Sequence, residues 1–344
     1  LAAGCDQGHQ NDQPASAGPF VHVVGTNVDG SHKATTNGVI QIAFDRALLP
    51  LTVNRQSFVL LDYTAMPLAP IVTYDPVALV VTLSNPDLAN PNWLKADQAY
   101  KVVLGIPDGS ADVGGVRAID RMPLDPHEPR ETRQIGFLVE GRTKDPAALI
   151  SGPPINFCND ILPIFSASCA QGTCHGAIEG KSRPAAGLVL ATSAGVANTA
   201  ISRVANGSNT GPFAGPGRAP SHVFGIDMPI IDPGNPGNSW LLYKVLLGTP
   251  SPPVGVIDAG TAEASASPGC VPQPAFESTA FAAPGLSDAE RARLSDFVLG
   301  NRMPYPAAPG RDTPGDTLTL DQMERLRAWI QQGAAVSDCS SCPP

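Results

Sequence analysis

The chain has 344 residues, with 22 Lys plus Arg against 31 Asp plus Glu, and a formal net charge of -9. Charged residues make up only 15%, which excludes a coiled coil, a charged disordered tail and a basic nucleic-acid surface. Gly numbers 34 and Pro 36, a content that favours turn-rich sheets and long loops over a helical bundle, and the sequence holds no apolar run of about 18 residues of the kind that crosses a bilayer.

The chain opens Leu1-Ala2-Ala3-Gly4-Cys5, followed by polar and small residues to Gly18. Small residues before a cysteine, then a polar tether, resemble the end of a bacterial lipoprotein signal. The resemblance implies a lipid anchor at Cys5 and residues 1–18 as tether. It also implies an exported chain, periplasmic or at the cell surface, with the outer membrane as one place of attachment.

Residues 19–142 read as a β domain. Short β-branched segments run Phe20 to Val24, Gly38 to Asp45, Ser57 to Tyr63, Ile71 to Tyr74, Ala78 to Leu83, Ala99 to Ile106 and Gln134 to Val139. Pro, Asn, Asp and Gly separate them, and none keeps a helical period for three turns. Seven such strands predict a β-sandwich. Val39 to Asp45, Leu48-Leu49-Pro50, Phe58, Tyr74, Val81 to Leu83, Leu94, Tyr100 to Val102, Asp112 to Gly115 and Phe137 resemble a bacterial Ig-like domain. That resemblance implies a spacer or adhesion module, with a surface glycan or a protein as its ligand. Asp108, Asp112 and Asp120 are carboxylates for a calcium site or for solvated loops.

From residue 151 the pattern turns helical. Asp160 to Phe165 predicts a helix with Pro163 in its first turn. Asn238 or Ser239 caps a helix carrying Leu241, Leu242, Val245 and Leu246, with Gly248 at its end. Leu286 to Glu290 is a capping box ahead of Leu294, Phe297 and Val298. Leu318 to Met323 is a second box, with a Leu318–Met323 staple, a stripe of Leu326, Trp329 and Ile330, and Gly333 as the stop. Residues 206–221 and 250–284 read as irregular. The expected architecture is a sandwich followed by a mainly α domain at 151–336, with a tail at 337–344.

The chemical signal is Cys169-Ala170-Gln171-Gly172-Thr173-Cys174-His175. A c-type haem attachment is ordinarily C-x-x-C-H; here four residues separate the cysteines. Met303 lies downstream beside Pro304, where a fixed turn can aim its sulfur. Asp160 to Gly176, Pro233 to Val245, Met303-Pro304 and Leu318 to Gly333 resemble an exported bacterial monohaem cytochrome c-like domain. The resemblance implies one haem c per chain, bound through Cys169 and Cys174, with His175 and Met303 as axial iron ligands. Met228 and His222 are the second choice of ligand region, and a Cys/His copper site is a third chemistry. His9, His22, His32 and His127 lie in the first half, away from this motif.

A His/Met iron implies outer-sphere electron transfer by a non-catalytic carrier. The acidic balance then implies a redox protein partner with a basic docking face. The alternatives are a cell-surface binding or adhesion protein with a structural or sensory haem, and a small haem peroxidase. Cys158, Cys270, Cys339 and Cys342 remain for two disulfides. Cys158–Cys270 with Cys339–Cys342 is the first pairing, and a bond from Cys158 to the C-terminal tail is the second.

Overall fold

The computed structural model describes residues 18–87, 89–90, 92–106, 114–141, 154–170, 174–176, 184–205, 228–251, 285–298, 302–305 and 317–339. These divide into two compact units. The first joins 18–141 to 285–297; the second takes the described residues from 154 to 251 and from 298 onward. Among the described residues no helix is long and apolar enough to cross a membrane.

The first unit is built from two four-stranded sheets. One has the order β1 (Val23–Thr26), β3 (Ile40–Phe44), β6 (Val80–Ser84), β5 (Ile71–Asp75). The other has β2 (Ala34–Thr35), β8 (Gln134–Glu140), β7 (Ala99–Leu104), β4 (Phe58–Leu61). Neighbours are antiparallel except β2, which runs parallel to β8. A four-residue helix, α1 (Arg130–Arg133), leads into β8.

Alternation builds this core. On β8, Ile135, Phe137 and Val139 are buried while Gly136, Leu138 and Glu140 are exposed, as a period of two requires. Phe44 of one sheet meets Phe58 of the other edge to face at 6.1 Å, and Tyr100 stacks on Phe137 at 5.9 Å. The buried Tyr74 hydroxyl accepts the Leu48 N–H at 2.9 Å. Every strand expected from alternation is present; the first begins three residues later, at Val23, and the two-residue β2 was not foreseen. Gln41, which breaks the apolar run of β3, is buried with its neighbours, and its backbone N–H is held by the Asn27 side chain at 2.7 Å.

The helix expected after Leu286 belongs to this first unit. Here the box is only half closed. Ser287 Oγ accepts the Glu290 N–H at 3.2 Å, but the Glu290 carboxylate does not return to the cap. It accepts instead from Arg46 Nε at 2.9 Å, from the Ala47 N–H at 3.2 Å and from Arg293 at 2.6 Å. Arg46, 1% exposed, also donates to Asp120 at 2.8 Å and to the Pro19 carbonyl. A buried network thus fastens the helix Asp288–Phe297 to residues some 240 positions earlier. Asp120 is therefore an ion-pair partner and not a calcium ligand; Asp108 and Asp112 lie outside the described residues.

Among its described residues the second unit is mixed, combining helices with isolated β-bridges, Ile201–Ile231, Val204–Pro229 and Ser251–Thr319; the stretches 206–221 and 252–284 expected to be irregular lie outside the described residues. Its helices are α2 (Leu162–Ser168), α3 (Ser193–Thr199), α4 (Trp240–Leu246) and α6 (Leu320–Gln331), the first unit's Asp288–Phe297 being α5. A π-helical turn, Phe157–Ile161, runs into α2 and is capped by the Asn156 side chain, which accepts from the Cys158 and Asn159 N–H groups. Pro163 sits in the first turn of α2, as expected. The α6 box is complete, Thr319 and Gln322 capping each other reciprocally. Phe157 and Phe165 pack on Trp329 at 5.6 and 6.1 Å. Beside them Asp160, 4% exposed, accepts from Arg325 at 2.7 Å and from the Asn156 N–H at 2.8 Å. Ser239 precedes α4 without capping it, because its hydroxyl accepts the Asp232 N–H and donates to the Asn235 carbonyl.

A Cys158–Cys339 disulfide joins the π-turn to the segment after α6. The preferred Cys158–Cys270 pairing is thereby excluded and the tail pairing is the one adopted. Cys339 cannot then pair with Cys342. Cys5, Cys270 and Cys342 lie outside the described residues.

Candidate functional site

The residues singled out by sequence come first. Cys169 follows the last turn of α2 and is buried as a free thiol; burial, and secondarily the Cys174 thiol beside it, pushes its pKa up to about 12. Its carbonyl accepts the His175 N–H at 3.1 Å, and the Cys174 carbonyl accepts the Ala185 N–H at 2.7 Å. His175 is 8% exposed, and burial pushes its pKa below the ordinary value while the Ala185 and Leu188 backbone partly offsets this. Its Nδ1 is buried with no hydrogen-bond partner among the described residues. Met303 donates its N–H to the Lys244 carbonyl at 2.9 Å and is joined to Pro304 by a cis peptide. Met228 is fully buried, as a core filler is, and His222 lies outside the described residues.

These observations overturn the cytochrome reading of Cys169, Cys174, His175 and Met303. The sequence lacks C-x-x-C-H, and the cysteine cross-link that the fold does make is the Cys158–Cys339 disulfide, not a pair of thioethers. A proximal histidine is oriented by a hydrogen bond from its second ring nitrogen; His175 Nδ1 has none among the described residues. Haem c, the His/Met iron and the docking partner derived from it are withdrawn with that reading.

Lys244, on α4 in the same unit, is a buried cation whose pKa burial lowers to about 8. Below pH 8 the lysine is charged in folded and unfolded chain alike, and the native state bears the desolvation cost. Between pH 8 and 10.5 the unfolded chain binds more protons, so stability rises with pH in that window. Lys244→Met removes the effect. Urea unfolding of the second unit at pH 7 and pH 10 is expected to show wild type gaining about 2–3 kcal/mol relative to the variant. An unchanged difference would mean that the ammonium is solvated.

Among the described residues, the one group of His, Cys, Asp and Glu side chains whose ligand atoms all converge within 4.8 Å is His22, Asp125 and Glu128, in the first unit. His22 precedes β1, and the other two lie in the loop before α1. Backbone pairing brings them together. Val21 and Leu124 form a parallel bridge, the Asp125 N–H donates to the Val21 carbonyl at 2.9 Å, and the Glu128 N–H turns back to the Asp125 carbonyl at 3.0 Å.

The side chains complete the arrangement. His22 Nδ1 lies 2.9 Å from Glu128 Oε2 and 3.9 Å from Asp125 Oδ2. The Val23 N–H donates to Glu128 Oε1 at 3.2 Å, and the His127 N–H donates to Asp125 Oδ1 at 2.8 Å. Each carboxylate is thus held by one oxygen and turns the other toward the imidazole. The hydrogen bond to Glu128 raises the His22 pKa, against the opposing effect of burial and with help from the charges of Asp45, Glu128 and Asp125. The Glu128 side chain is 7% exposed and that of His22 42%, so the cluster has a buried floor and an open side. Sequence reading set His22 and His127 aside because it looked near the cysteine motif. With 106 positions between His22 and Glu128, only the sheet pairing makes them neighbours.

No protein-family profile matches the chain, and no curated protein matches it. Among solved structures, the surface layer protein SbsC, domains 1–6, is similar at a TM-score of 0.24 and 15% identity, over 36% of this chain and 14% of that one. The N-terminal part of the bacterial S-layer protein SbsC aligns at a TM-score of 0.24 and 17% identity, over 36% of this chain and 24% of that one. The chain therefore spans less than a quarter of the length of the solved proteins it resembles. Likenesses this slight leave fold and function to be read from the residues themselves.

Proposed function

We propose that the chain is a non-catalytic, extracytoplasmic binding protein in which the sandwich is the contact module and the second unit is closed by a disulfide. The observation that carries this reading is the Cys158–Cys339 bond, because such bonds form and persist in oxidising compartments. Lipid attachment at Cys5 belongs to the same reading. Strand order supports an Ig-like assignment for the sandwich: β1-β3-β6-β5 corresponds to the A-B-E-D sheet and β4-β7-β8 to C-F-G. The short β2 beside β8 then corresponds to a split first strand.

The outer face of the β7–β8 pair offers a contact surface. Lys101 lies opposite Gly136, and Leu138, 48% exposed, lies opposite Ala99. Lys101 can pair with an acidic group of a protein or glycan ligand of the cell envelope while Leu138 buries apolar surface against it. The test is co-sedimentation of the oxidised full chain with envelope fragments. Saturable binding weakened at least ~10-fold by Lys101→Glu with Leu138→Asp, at unchanged melting temperature, is expected, since surface changes of this kind act on contacts and not on the core. Binding that is absent, or indifferent to both substitutions, would overturn the assignment of this face.

A further inference from the structure

We propose that His22, Asp125 and Glu128 form a binding site for a divalent first-row transition cation of the zinc type. Imidazole nitrogen with two carboxylate oxygens is a donor set for such ions, whereas calcium and magnesium take oxygen ligands. Two ligands each about 2.1 Å from a tetrahedral zinc lie about 3.4 Å apart. The separations of His22 Nδ1 from Glu128 Oε2 and Asp125 Oδ2, 2.9 and 3.9 Å, bracket that value. Small side-chain rotations would seat the ion without moving the backbone.

The surrounding groups favour the same reading. A metal site needs an outer shell that orients its ligands. The Val23 and His127 N–H groups each occupy one carboxylate oxygen and leave the other free. The backbone of His22 is itself fixed, its N–H donating to Asp45 Oδ1 at 2.8 Å. A fourth donor stands nearby: the exposed His127, whose Nδ1 lies 3.3 Å from Asp125 Oδ1, or a water on the open side. Bound metal would add a further tie between the segment entering β1 and the loop 124–128, beside the Val21–Leu124 bridge, the Val23 N–H bond to Glu128 and the His22–carboxylate contacts. The ion would replace the imidazole proton, with the carboxylates balancing its charge.

The probe is zinc chloride added to the chelator-stripped, oxidised chain carrying Cys169→Ala and Cys174→Ala, its other free thiols alkylated, because Cys169 and Cys174 would also take zinc. Calorimetry is expected to give one equivalent, and hydrogen exchange should slow at residues 21–24 and 124–128. His22→Gln and Glu128→Gln are each expected to weaken binding by at least ~10-fold. Glu128→Gln keeps an acceptor for the Val23 N–H, and circular dichroism verifies the fold of both variants. Zinc affinity equal in wild type and both variants, or no binding, would overturn the site. Calcium or magnesium binding at least as tight as zinc would overturn the choice of ion. A mere ion pair would show variant effects on stability alone, with no zinc-dependent protection.

Discussion

Replacing Glu290 by Ala is expected to cost the first unit about 3–5 kcal/mol. The carboxylate accepts from Arg46, Arg293 and the Ala47 N–H, and both Arg46 and Glu290 are almost wholly buried. Removing it leaves the Arg46 guanidinium with Asp120 as its one remaining carboxylate, and leaves a buried N–H without its acceptor. Urea unfolding read by hydrogen exchange in β3 and α5 measures the loss, and α5 should exchange first. Arg46→Met with Asp120→Leu and Glu290→Leu should recover most of it, because an apolar replacement of similar volume carries no desolvation cost. A loss below about 1 kcal/mol for Glu290→Ala would mean that the network behaves as a solvated surface pair.

The second large effect is on the other unit. Reduction of Cys158–Cys339, or its replacement by Ala at both positions, is expected to lower that unit's stability by about 2–5 kcal/mol. The bond closes a loop spanning a sequence separation of 181, and chain-entropy arguments place long loops at the upper end of that range. Reduction should leave exchange in the sandwich strands unchanged, since the bond lies wholly within the second unit. If reduced and oxidised chains unfold at the same urea concentration, the bond constrains nothing that the Phe157–Phe165–Trp329 cluster does not already hold.

Period-two patterning and turn residues made the sandwich legible, because β8 and β4 each bury alternate residues on one face. The α6 capping box was legible because both partners lie within one turn. What escaped the sequence was pairing over distance. Glu290 reads as the third residue of a box, yet its carboxylate is drawn to Arg46, and nothing local announces that. His22, Asp125 and Glu128 carry no motif, since their proximity comes from a bridge between Val21 and Leu124. The cysteine motif misled for the opposite reason. Cys169, Cys174 and His175 are close in sequence and suggest a haem site, but Cys169 is a buried thiol, and among the described residues His175 Nδ1 has no partner that would orient it as a ligand.

The most direct test of an extracytoplasmic, disulfide-closed binding protein is made on the chain as cells hold it. Intact cells are treated with an impermeant amine label, then lysed in an alkylating agent without reductant, and the chain is mapped by mass spectrometry. The account predicts a Cys158–Cys339 linked peptide together with external label on exposed lysines such as Lys101. Alkylated, unlinked Cys158 in an unlabelled chain would contradict it and place the protein in a reducing compartment.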